Sequence, residues 1–350
     1  MTLASATNPI LTATASPVPI APGGAQTMKA VVQDRYGSAD VLEVRDIARP
    51  VCGPDDVLVH VHAAGVDRGA WHLMTGLPYL IRLVGYGFRA PKNPVLGMDV
   101  AGHVEAVGAN VTQFHTGDEV FGIGNGSFAE FACVPQTKLA RKPVNLSFEQ
   151  AAAVPTSAGT ALQGLRDIGE VKAGQTVLII GAGGGVGSFA VQIAKALGAE
   201  VTGVEGPTKL DLVRSIGADH VIDYKREDFS RMGKRYDVIL DIAGNRSLSD
   251  LRRALTPRGT LVITGGENGD RWIGGVDRQL RALALSPFVG QRLRSFIAEE
   301  SSESIRDVTT LIEAGKVMPV IDKTFPLSET ADAMRYLTDS HVRGKLVITV

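Results

Sequence analysis

The fold of this chain is decided by one stretch, Thr176-Val177-Leu178-Ile179-Ile180-Gly181-Ala182-Gly183-Gly184-Gly185-Val186-Gly187-Ser188. An apolar, largely β-branched run stops abruptly in a glycine loop, and apolar residues then recur at spacings of three or four until Gly198. A second short apolar run, from 201 to 204, comes next. Strand, glycine loop, helix and strand in this order predict the opening βαβ unit of a dinucleotide-binding fold.

The glycines of this loop stand where a bound pyrophosphate would need them. Gly181 suits a turn with positive φ, Gly184 lets the backbone approach a phosphate, and Gly187 lets the helix pack closely on the strand. The helix N-terminus adds free N–H groups and a partial positive charge. A glycine cluster that only turns the chain is the alternative, but the strand before it and the helix after it favour nucleotide binding. The predicted pyrophosphate set is Gly181, Ala182, Gly184, Gly185, Val186 and Gly187.

Length and composition restrict the class of protein. The 350 residues suffice for two domains, and 36 basic against 37 acidic residues give no sign of nucleic-acid binding. No apolar run reaches the ~18 residues of a membrane span, so we predict no transmembrane segment. Residues 1–27 carry no charge apart from the terminus and lack the basic region of a secretory signal, so we expect a disordered extension and a cytoplasmic location. Cys52 and Cys133 are too few for a disulfide framework or a four-cysteine zinc lobe.

The pattern of the sequence changes near residue 150. Before it, short strands, glycine turns and frequent changes of direction predict a compact, barrel-like β domain. After it, helical and strand segments alternate, which predicts a parallel sheet with right-handed crossovers. Leu73–Pro94 has no clear period, and so long a loop in a compact domain is usually functional; Asp270–Gly290 is expected to be irregular. His60 and His62 share one face of a predicted strand, where ordinary polar-face histidines are favoured over a metal pair that would need further ligands.

Further motifs accompany the glycine loop: Ala63-Ala64-Gly65-Val66-Asp67, Gly97-Met98-Asp99-Val100-Ala101-Gly102, the segment 153–162 (AVPTSAGTAL), the segment 217–224 (GADHVIDY) and Gly344-Lys345-Leu346-Val347-Ile348. With them, residues 28–350 resemble the medium-chain dehydrogenase/reductase family, in its zinc-independent quinone-oxidoreductase branch. The resemblance implies an α/β chain with two domains. A GroES-like, β-rich catalytic domain would comprise 28–150 and 291–350, and a Rossmann domain with a doubly wound parallel sheet would comprise 151–290.

The sequence departs from the zinc-dependent branch of that family. Met98 stands where a Gly-His-Glu motif would supply a histidine ligand, and Asp67 stands where a cysteine ligand is expected. An alcohol dehydrogenase needs zinc to lower the pKa of the alcohol and to polarise the carbonyl. We therefore expect no zinc, and hydride delivery to an already electrophilic small molecule such as a quinone or a conjugated enone or enal.

Site residues follow from the resemblance. Thr156 and Thr160 would contact the nicotinamide ribose and phosphates, although Thr156 could instead be a helix N-cap. Tyr224 would lie at the adenosine end, with a surface tyrosine as the alternative. Gly265 and Gly266 follow a sheet strand at its carboxyl end, where open α/β sheets bind ligands.

The acceptor pocket is expected near Asp67, Trp71 and Tyr79, which are the candidate catalytic residues. Asp67 could instead make a loop hydrogen bond. His72 and Tyr79 are the candidates for a proton donor, but quinone and enone reduction can take the proton from water. Catalysis would then come mainly from holding the hydride donor and the acceptor in near-attack geometry.

The choice of nucleotide rests on opposing signals. Glu205 ends the second strand, where an acid accepts hydrogen bonds from the adenine ribose and favours NADH. Thr208, Lys209 and Tyr224 could instead hold a 2′-phosphate by charge-assisted hydrogen bonds, which favours NADPH. We expect NADPH, with NADH as the alternative.

The sequence therefore predicts an NAD(P)H-dependent oxidoreductase of quinones or α,β-unsaturated carbonyl compounds. Two alternatives are a non-catalytic NAD(P)-binding redox sensor or scaffold, and an alcohol dehydrogenase. The family resemblance also implies a homodimer formed through the edge of the Rossmann sheet.

Overall fold

A computed structural model describes residues 26–265, 271–339 and 341–350. The first half is rich in short strands joined by tight turns: β1 (Thr27–Val32), β2 (Glu43–Ala48), β3 (Asp56–Val66), β4 (Asp99–Val107), β5 (Glu119–Ile123), β6 (Phe131–Pro135) and β7 (Leu139–Arg141), with helix α1 (Arg68–Thr75) between β3 and β4. β1 and β2 form an antiparallel pair of their own. β3 is central to the larger sheet, because it pairs with β4, with β6 and with a strand from the end of the chain.

The second half alternates helices with parallel strands. Its helices are α2 (Phe148–Ala152), α3 (Pro155–Leu162), α4 (Gly185–Ala196), α5 (Leu210–Ser215), α6 (Leu248–Ala254), α7 (Val276–Leu285), α8 (Ser302–Glu313) and α9 (Thr330–Thr338). Its strands are β8 (Thr176–Ile180), β9 (Glu200–Glu205), β10 (His220–Asp223), β11 (Tyr236–Asp241), β12 (Leu255–Ile263) and β13 (Arg292–Ser295), followed by β14 (Ile321–Pro326) and β15 (Lys345–Thr349). β8 to β13 form one parallel sheet in the order β10-β9-β8-β11-β12-β13. This is the strand order of a Rossmann fold, as predicted.

β8 shows why this sheet must be covered on both faces. Val177 and Ile179 belong to one buried apolar cluster, and the alternating residues Leu178 and Ile180 belong to another. Because successive side chains of a strand point to opposite faces, a strand that is apolar throughout needs a layer on each side. The sheet is therefore a middle layer, and ligands reach it at the carboxyl ends of its strands.

The end of the chain completes the first domain. β15 pairs antiparallel with β3 and parallel with β14, so the large sheet runs β14-β15-β3-β4-β5-β7. Residues that are more than 270 positions apart, such as Val66 and Leu346, are register partners in it. The GroES-like and Rossmann architecture is therefore present, and the chain enters the second domain from the first and then returns.

The predicted return of the chain to the first domain, at 291, falls directly before β13 (Arg292–Ser295), the sixth strand of the Rossmann sheet. The segment predicted to be irregular contains α7, whose Leu280 and Leu283 face solvent, so no buried apolar stripe marks the helix. Cys52 and Cys133, too few for a framework of several bridges, form one disulfide across 81 residues of sequence.

Two expectations concern the ends of the chain and membranes. The expectation of a disordered extension falls on residues 1–25, which lie outside the described residues, and on Gln26 and Thr27, of which Thr27 begins β1. Among the helices of the described ranges, none is long and apolar enough to cross a bilayer.

Candidate active site

The glycine loop connects β8 to α4. Gly181 has φ +89°, a conformation that residues with a Cβ rarely adopt. A Cβ on Gly187 would lie 2.0 Å from the carbonyl oxygen of Gly181, so only glycine allows the helix to approach the loop this closely. A Cβ on Gly184, the N-cap residue of α4, would meet no protein atom nearer than 3.6 Å. At the start of α4, Gly184, Gly185 and Val186 are partly exposed, whereas Gly187 and Ala182 are buried.

The last strand contacts this loop from the other domain. The Gly344 N–H donates to the carbonyl oxygen of Gly183 at 3.0 Å. Lys345, at the start of β15, extends beneath the loop, and a Cβ on Gly185 would lie 3.2 Å from its Cδ. The Lys345 side chain is buried, with Nζ 3.2 Å from Asp99 Oδ2 and 3.8 Å from Asp67 Oδ2. One ammonium therefore lies between two buried carboxylates, beside the helix N-terminus.

Asp99 connects this cluster to α3. Its Oδ1 accepts hydrogen bonds from the Thr156 backbone N–H at 3.0 Å and from the Thr156 hydroxyl at 2.5 Å. Burial raises the pKa of Asp99 to about 6, against the opposing charge of Lys345, and the nearby Asp67 adds to the increase. Thr156 is not the helix N-cap, since α3 begins at Pro155 after Val154. The Thr160 hydroxyl donates to the Thr156 carbonyl oxygen at 2.7 Å.

The end of β9 gathers the residues predicted to surround the adenosine. Each carboxylate oxygen of Glu205 accepts one backbone N–H, from Gly183 at 2.8 Å and from Gly206 at 2.9 Å. The Glu205 side chain therefore points toward the glycine loop and holds it through these hydrogen bonds. A Cβ on Gly183 would lie 2.9 Å from Lys209 Cβ, and one on Gly206 would lie 3.4 Å from the Tyr224 ring.

Arg343, which no motif of the sequence indicates, also lies at this place. Its guanidinium donates to the Thr208 carbonyl oxygen at 2.8 Å and pairs with Asp211 at 2.6 Å. Arg343 and Lys345 both enter the site from the final segment of the first domain. Both residues reach the site through the tertiary structure. The only signal of this in the sequence is that Gly344-Lys345 belongs to a motif.

Gly265 follows β12 at its carboxyl end. A Cβ there would lie 1.8 Å from the carbonyl oxygen of Ile242, so this turn requires glycine. Gly266 lies outside the described residues.

Two of the three catalytic candidates, Asp67 and Trp71, lie one turn apart at the start of α1, and the Trp71 N–H donates to the Asp67 carbonyl oxygen at 3.3 Å. Asp67 is the N-cap of α1, with Oδ1 accepting from the Ala70 N–H at 3.0 Å, so the loop hydrogen bond predicted as its alternative is present. Trp71 packs against the core of the first domain, and the Arg68 guanidinium lies 5.7 Å from its ring. Tyr79 crosses to the Rossmann domain, because its N–H donates to the Arg271 carbonyl oxygen and its ring contacts Trp272.

The imidazoles in this domain have other partners. His72 Nδ1 lies 2.6 Å from the Leu77 carbonyl oxygen, which can only accept, so Nδ1 carries the proton. His62 Nε2 lies 2.9 Å from His103 Nδ1, on the face that His62 shares with His60. In the described part of the chain, no cluster of three or more His, Cys, Asp or Glu side chains could hold a metal ion.

A cavity of ≈ 100 Å³ is lined by Met98, the residue before Asp99. On the same measure a single water needs ~10–15 Å³, so the cavity has room for a small organic molecule. Its walls include Leu73, Tyr86 and Pro91 from the segment without a clear period, and Met98. Met98 also touches the other side of the site, since a Cβ on Gly69 would lie 2.9 Å from its Sδ. Met98 therefore lines the cavity, and the next residue, Asp99, forms the ion pair with Lys345.

The parallel sheet and its glycine loop define the class as a dinucleotide-binding α/β protein, and a cavity is lined by Met98 of the first domain. Two family models match the chain: an alcohol dehydrogenase GroES-like domain over residues 53–144 and a zinc-binding dehydrogenase over residues 216–348. A mitochondrial NAD(P)H oxidoreductase of Bos taurus is 34% identical, over 92% of this chain and 89% of the relative. A chloroplastic NADPH-dependent alkenal/one oxidoreductase of Arabidopsis thaliana is 33% identical, over 92% and 79%. The solved quinone oxidoreductase of Coxiella burnetii superposes with a TM-score of 0.81 at 28% identity, covering 93% of this chain and 100% of that one.

These similarities extend over nearly the whole chain. The chain belongs to the medium-chain dehydrogenase/reductase family, in its zinc-independent, quinone-oxidoreductase-like branch.

Proposed function

We propose that this protein uses NADPH to reduce the conjugated double bond of α,β-unsaturated carbonyl compounds, or a quinone, without zinc. The observation that carries the proposal is the position of Met98. Met98 lines the cavity. The next residue in the sequence, Asp99, pairs with Lys345, whose side chain lies beside the glycine loop. An apolar acceptor in the cavity would therefore lie beside the nucleotide cleft.

The residues of the chain fit a dinucleotide. The first-turn N–H groups of α4 and the open space at Gly184 suit a pyrophosphate, and the Lys345 ammonium supplies a positive charge from below. When bound, the nicotinamide supplies a hydride. With an enone, the β-carbon gains that hydride and the α-carbon gains a proton, which water can provide; with a quinone, two oxygens are finally protonated. The protein contributes orientation and a cavity that excludes bulk water.

The chemistry of the donor set argues against a zinc ion between Met98 and Asp67. Zinc in proteins is bound by cysteine, histidine and carboxylate side chains, whereas Met98 offers a neutral thioether. Asp67 uses Oδ1 to cap α1, and its Oδ2 faces the Lys345 ammonium at 3.8 Å. A dication placed there would be repelled by that ammonium.

NADPH fits the adenosine end better than NADH. Both Glu205 oxygens are engaged by backbone N–H groups, so this carboxylate is turned toward the loop rather than toward a ribose. Lys209 stands beside it, and Arg343 adds a second cation near Thr208, although Asp211 offsets part of its charge. The similarity to an NADPH-dependent alkenal/one oxidoreductase supports the same choice.

Three further features belong to this proposal. The Leu73–Pro94 segment acts as a lid, since it lines the cavity and its Tyr79 bonds to the Rossmann domain.

The protein forms a homodimer through β13, the edge strand whose outer backbone groups have no neighbour within the described sheet. It acts on small molecules in the cytoplasm, although the relatives compared above are named as mitochondrial and chloroplastic.

Steady-state kinetics with a panel of quinones, enals, enones and simple alcohols, each with NADPH and NADH, test the proposal. We expect oxidation of NADPH by quinones or conjugated carbonyl compounds and little reaction of the oxidised nucleotides with alcohols. Tight nucleotide binding without turnover of any acceptor would favour a redox sensor or scaffold instead.

A further inference from the structure

A buried ion pair lies at the carboxyl ends of two strands of the parallel sheet. Asp241, the last residue of β11, is fully buried, and its Oδ2 pairs with the guanidinium of Arg278 in the first turn of α7. The same guanidinium donates to the carbonyl oxygen of Arg246, after β11, at 3.2 Å and to that of Gly265, after β12, at 3.1 Å. Arg278 therefore connects α7 to the loops that follow β11 and β12.

The guanidinium of Arg278 fixes geometry more than it adds stability. A buried ion pair contributes little net stability, because both charges lose their contact with water. Burial raises the pKa of Asp241, and the charge of Arg278 opposes that increase. Beyond its charge, an arginine supplies a planar fork whose N–H groups point in fixed directions. In Arg278 this fork holds one carboxylate and two backbone carbonyl groups, so it fixes where the two loops lie.

These two loops lie where the nicotinamide half of a dinucleotide is expected. The adenosine half is predicted at the end of β9, and the pyrophosphate at the glycine loop after β8. β11 and β12 follow on the other side of β8. The loop after β11 adjoins the glycine loop, since a Cβ on Gly181 would lie 3.4 Å from the Cβ of Ala243. A dinucleotide that extends from β9 across β8 therefore brings its nicotinamide to the ends of β11 and β12.

Asp241 holds the same two loops through its other oxygens. Its Oδ1 accepts the Gly244 N–H at 3.1 Å, and its backbone carbonyl oxygen accepts the Thr264 N–H at 3.1 Å. The loop after β12 is thus held at two successive residues, at Thr264 by Asp241 and at Gly265 by Arg278.

α7 also supports the segment that the lid contacts. Arg271 and Trp272, which come shortly before α7, accept hydrogen bonds from the backbone N–H groups of Tyr79 and Leu80 through their carbonyl oxygens. Because Arg278 bonds the first turn of α7 to the end of β11, a change at this residue would affect both the predicted nicotinamide end and the lid.

From these contacts we infer that Arg278 is a positioning residue for hydride transfer, which acts through Asp241 and the Gly265 turn to orient the nicotinamide. The inference rests on the proposed reductase function and adds a residue to its machinery. Hydride transfer requires one face of C4 of the nicotinamide to lie close to the acceptor, so a small error of orientation is costly.

The test removes the pair without leaving a buried charge behind. In the double variant Arg278→Met/Asp241→Asn, the amide oxygen at 241 can still accept the Gly244 N–H, whereas the bonds to Arg246 and Gly265 are lost. Calorimetric titration compares NADP⁺ with 2′,5′-ADP, which has the adenosine half and its 2′-phosphate but no nicotinamide. We expect Kd for NADP⁺ to rise by about fivefold or more, corresponding to ~1 kcal/mol, and Kd for 2′,5′-ADP to stay nearly unchanged.

A matched variant separates positioning from damage to the fold. Arg252→Met removes an arginine whose Nε bonds Gln291 Oε1 at 3.0 Å, directly before β13 and therefore at the amino end of the sheet; both Kd values should stay as in wild type. Arg278→Lys keeps a charge opposite Asp241 without the planar fork, and it takes the place of the double variant if that variant does not fold. An unchanged Kd for NADP⁺ in the folded variant, or equal losses of affinity for the two ligands, would overturn the inference.

The face of the nicotinamide that gives the hydride is a second readout, which loss of folded enzyme does not change. With NADPH deuterated at either face of C4, wild type and Arg252→Met should transfer hydride from one face only. The double variant should have a lower kcat and take part of the hydride from the other face, because a nicotinamide that is held less firmly can turn about its glycosidic bond. Complete selectivity in the double variant would contradict the inference and leave the reductase function intact. If wild type reduces no acceptor but the titrations differ as expected, the reductase proposal alone fails, and Arg278 still positions the nicotinamide end.

Discussion

Lys345 connects the two domains, because it belongs to the first domain and its side chain lies beside the glycine loop of the second. Its ammonium is buried between Asp99 and Asp67, under Gly185. A buried ion pair adds little net stability by itself, but removing one partner leaves an uncompensated charge. Its Cδ lies next to Gly185, so this charge lies close to the N-terminus of α4, where the pyrophosphate is predicted to bind.

Replacing Lys345 by Met should weaken nucleotide binding by about tenfold or more, since a charge-assisted contact contributes ~1.5–3 kcal/mol. It should also lower the melting temperature, because Asp99 loses its counter-charge. The double variant Lys345→Met/Asp99→Asn separates the two effects: we expect recovered stability without recovered affinity. Calorimetric titration with NADPH measures the affinity, and Lys323→Met on β14 is the control. Wild-type affinity in the double variant would show that Lys345 has only a structural role.

The glycines of the loop should respond differently to the same substitution. Gly184→Val should abolish nucleotide binding and keep the melting temperature near that of wild type, because a side chain there meets open space rather than protein. Gly187→Val should abolish binding and also destabilise the Rossmann domain, because its Cβ would overlap the Gly181 carbonyl oxygen. Thermal unfolding and NADPH titration of both variants measure these effects. Unchanged affinity in Gly184→Val would mean that the pyrophosphate binds elsewhere.

The preference for NADPH should depend on Lys209 and Glu205 in opposite directions. Lys209→Ala should lower kcat/KM with NADPH and hardly change it with NADH, since only the 2′-phosphate needs the cation. Glu205→Ser should raise the NADPH:NADH ratio, although loss of its bonds to Gly183 and Gly206 should loosen the loop for both nucleotides. A wild-type preference for NADH of about tenfold, together with a silent Lys209→Ala, would contradict the assignment.

At the scale of elements, the segment after α1 joins the two domains across the cavity. The backbone N–H groups of Tyr79 and Leu80 donate to the carbonyl oxygens of Arg271 and Trp272, and the Arg82 guanidinium lies 4.7 Å from the Tyr79 ring. Leu83 and Phe88, farther along the segment, are exposed. This combination of an anchored start and an exposed apolar end fits a lid.

Replacing residues 83–90 by a short Gly-Ser linker should therefore raise the Michaelis constant for the acceptor by about tenfold or more, with that for the nucleotide nearly unchanged. The anchoring residues Tyr79 and Arg82 are kept, so the link between domains should persist. Steady-state kinetics with one enone and one quinone measure both constants. Equal increases in the two constants would indicate general destabilisation and contradict a lid.

The elements that could be predicted are those whose local pattern matches their burial. β8 and the Val238–Leu240 part of β11 are apolar and buried inside the sheet, and β8, β10 and β11 occur where the sequence indicated. α7 cannot be predicted in the same way, because its exposed leucines give no core-facing stripe. Lys345 belongs to a sequence motif, but its contacts have no local signature, since its partner Asp99 is 246 residues away and burial of a lysine is a tertiary property.

At the scale of the whole molecule, the chain closes its first domain only with its last strand. β15 therefore has two structural roles. It completes the sheet by pairing with β3, and it places Lys345 beside the glycine loop. The Gly344–Gly183 hydrogen bond and the Lys345 contacts connect the domains on the side of the pyrophosphate, and Tyr79 connects them on the side of the cavity. The nucleotide and the acceptor would thus lie between two interdomain contacts, and hydride transfer would occur near Met98.

The most direct test of the central claim follows the hydride itself. The enzyme, freed of metal by chelation, is supplied with NADPH deuterated at either face of C4 and with 2-cyclohexenone. The account predicts cyclohexanone that carries a single deuterium at the carbon β to the carbonyl, from one of the two labelled nucleotides, at the same rate before and after chelation. An allylic alcohol with deuterium on the carbinol carbon, formed only when zinc is restored, would contradict it.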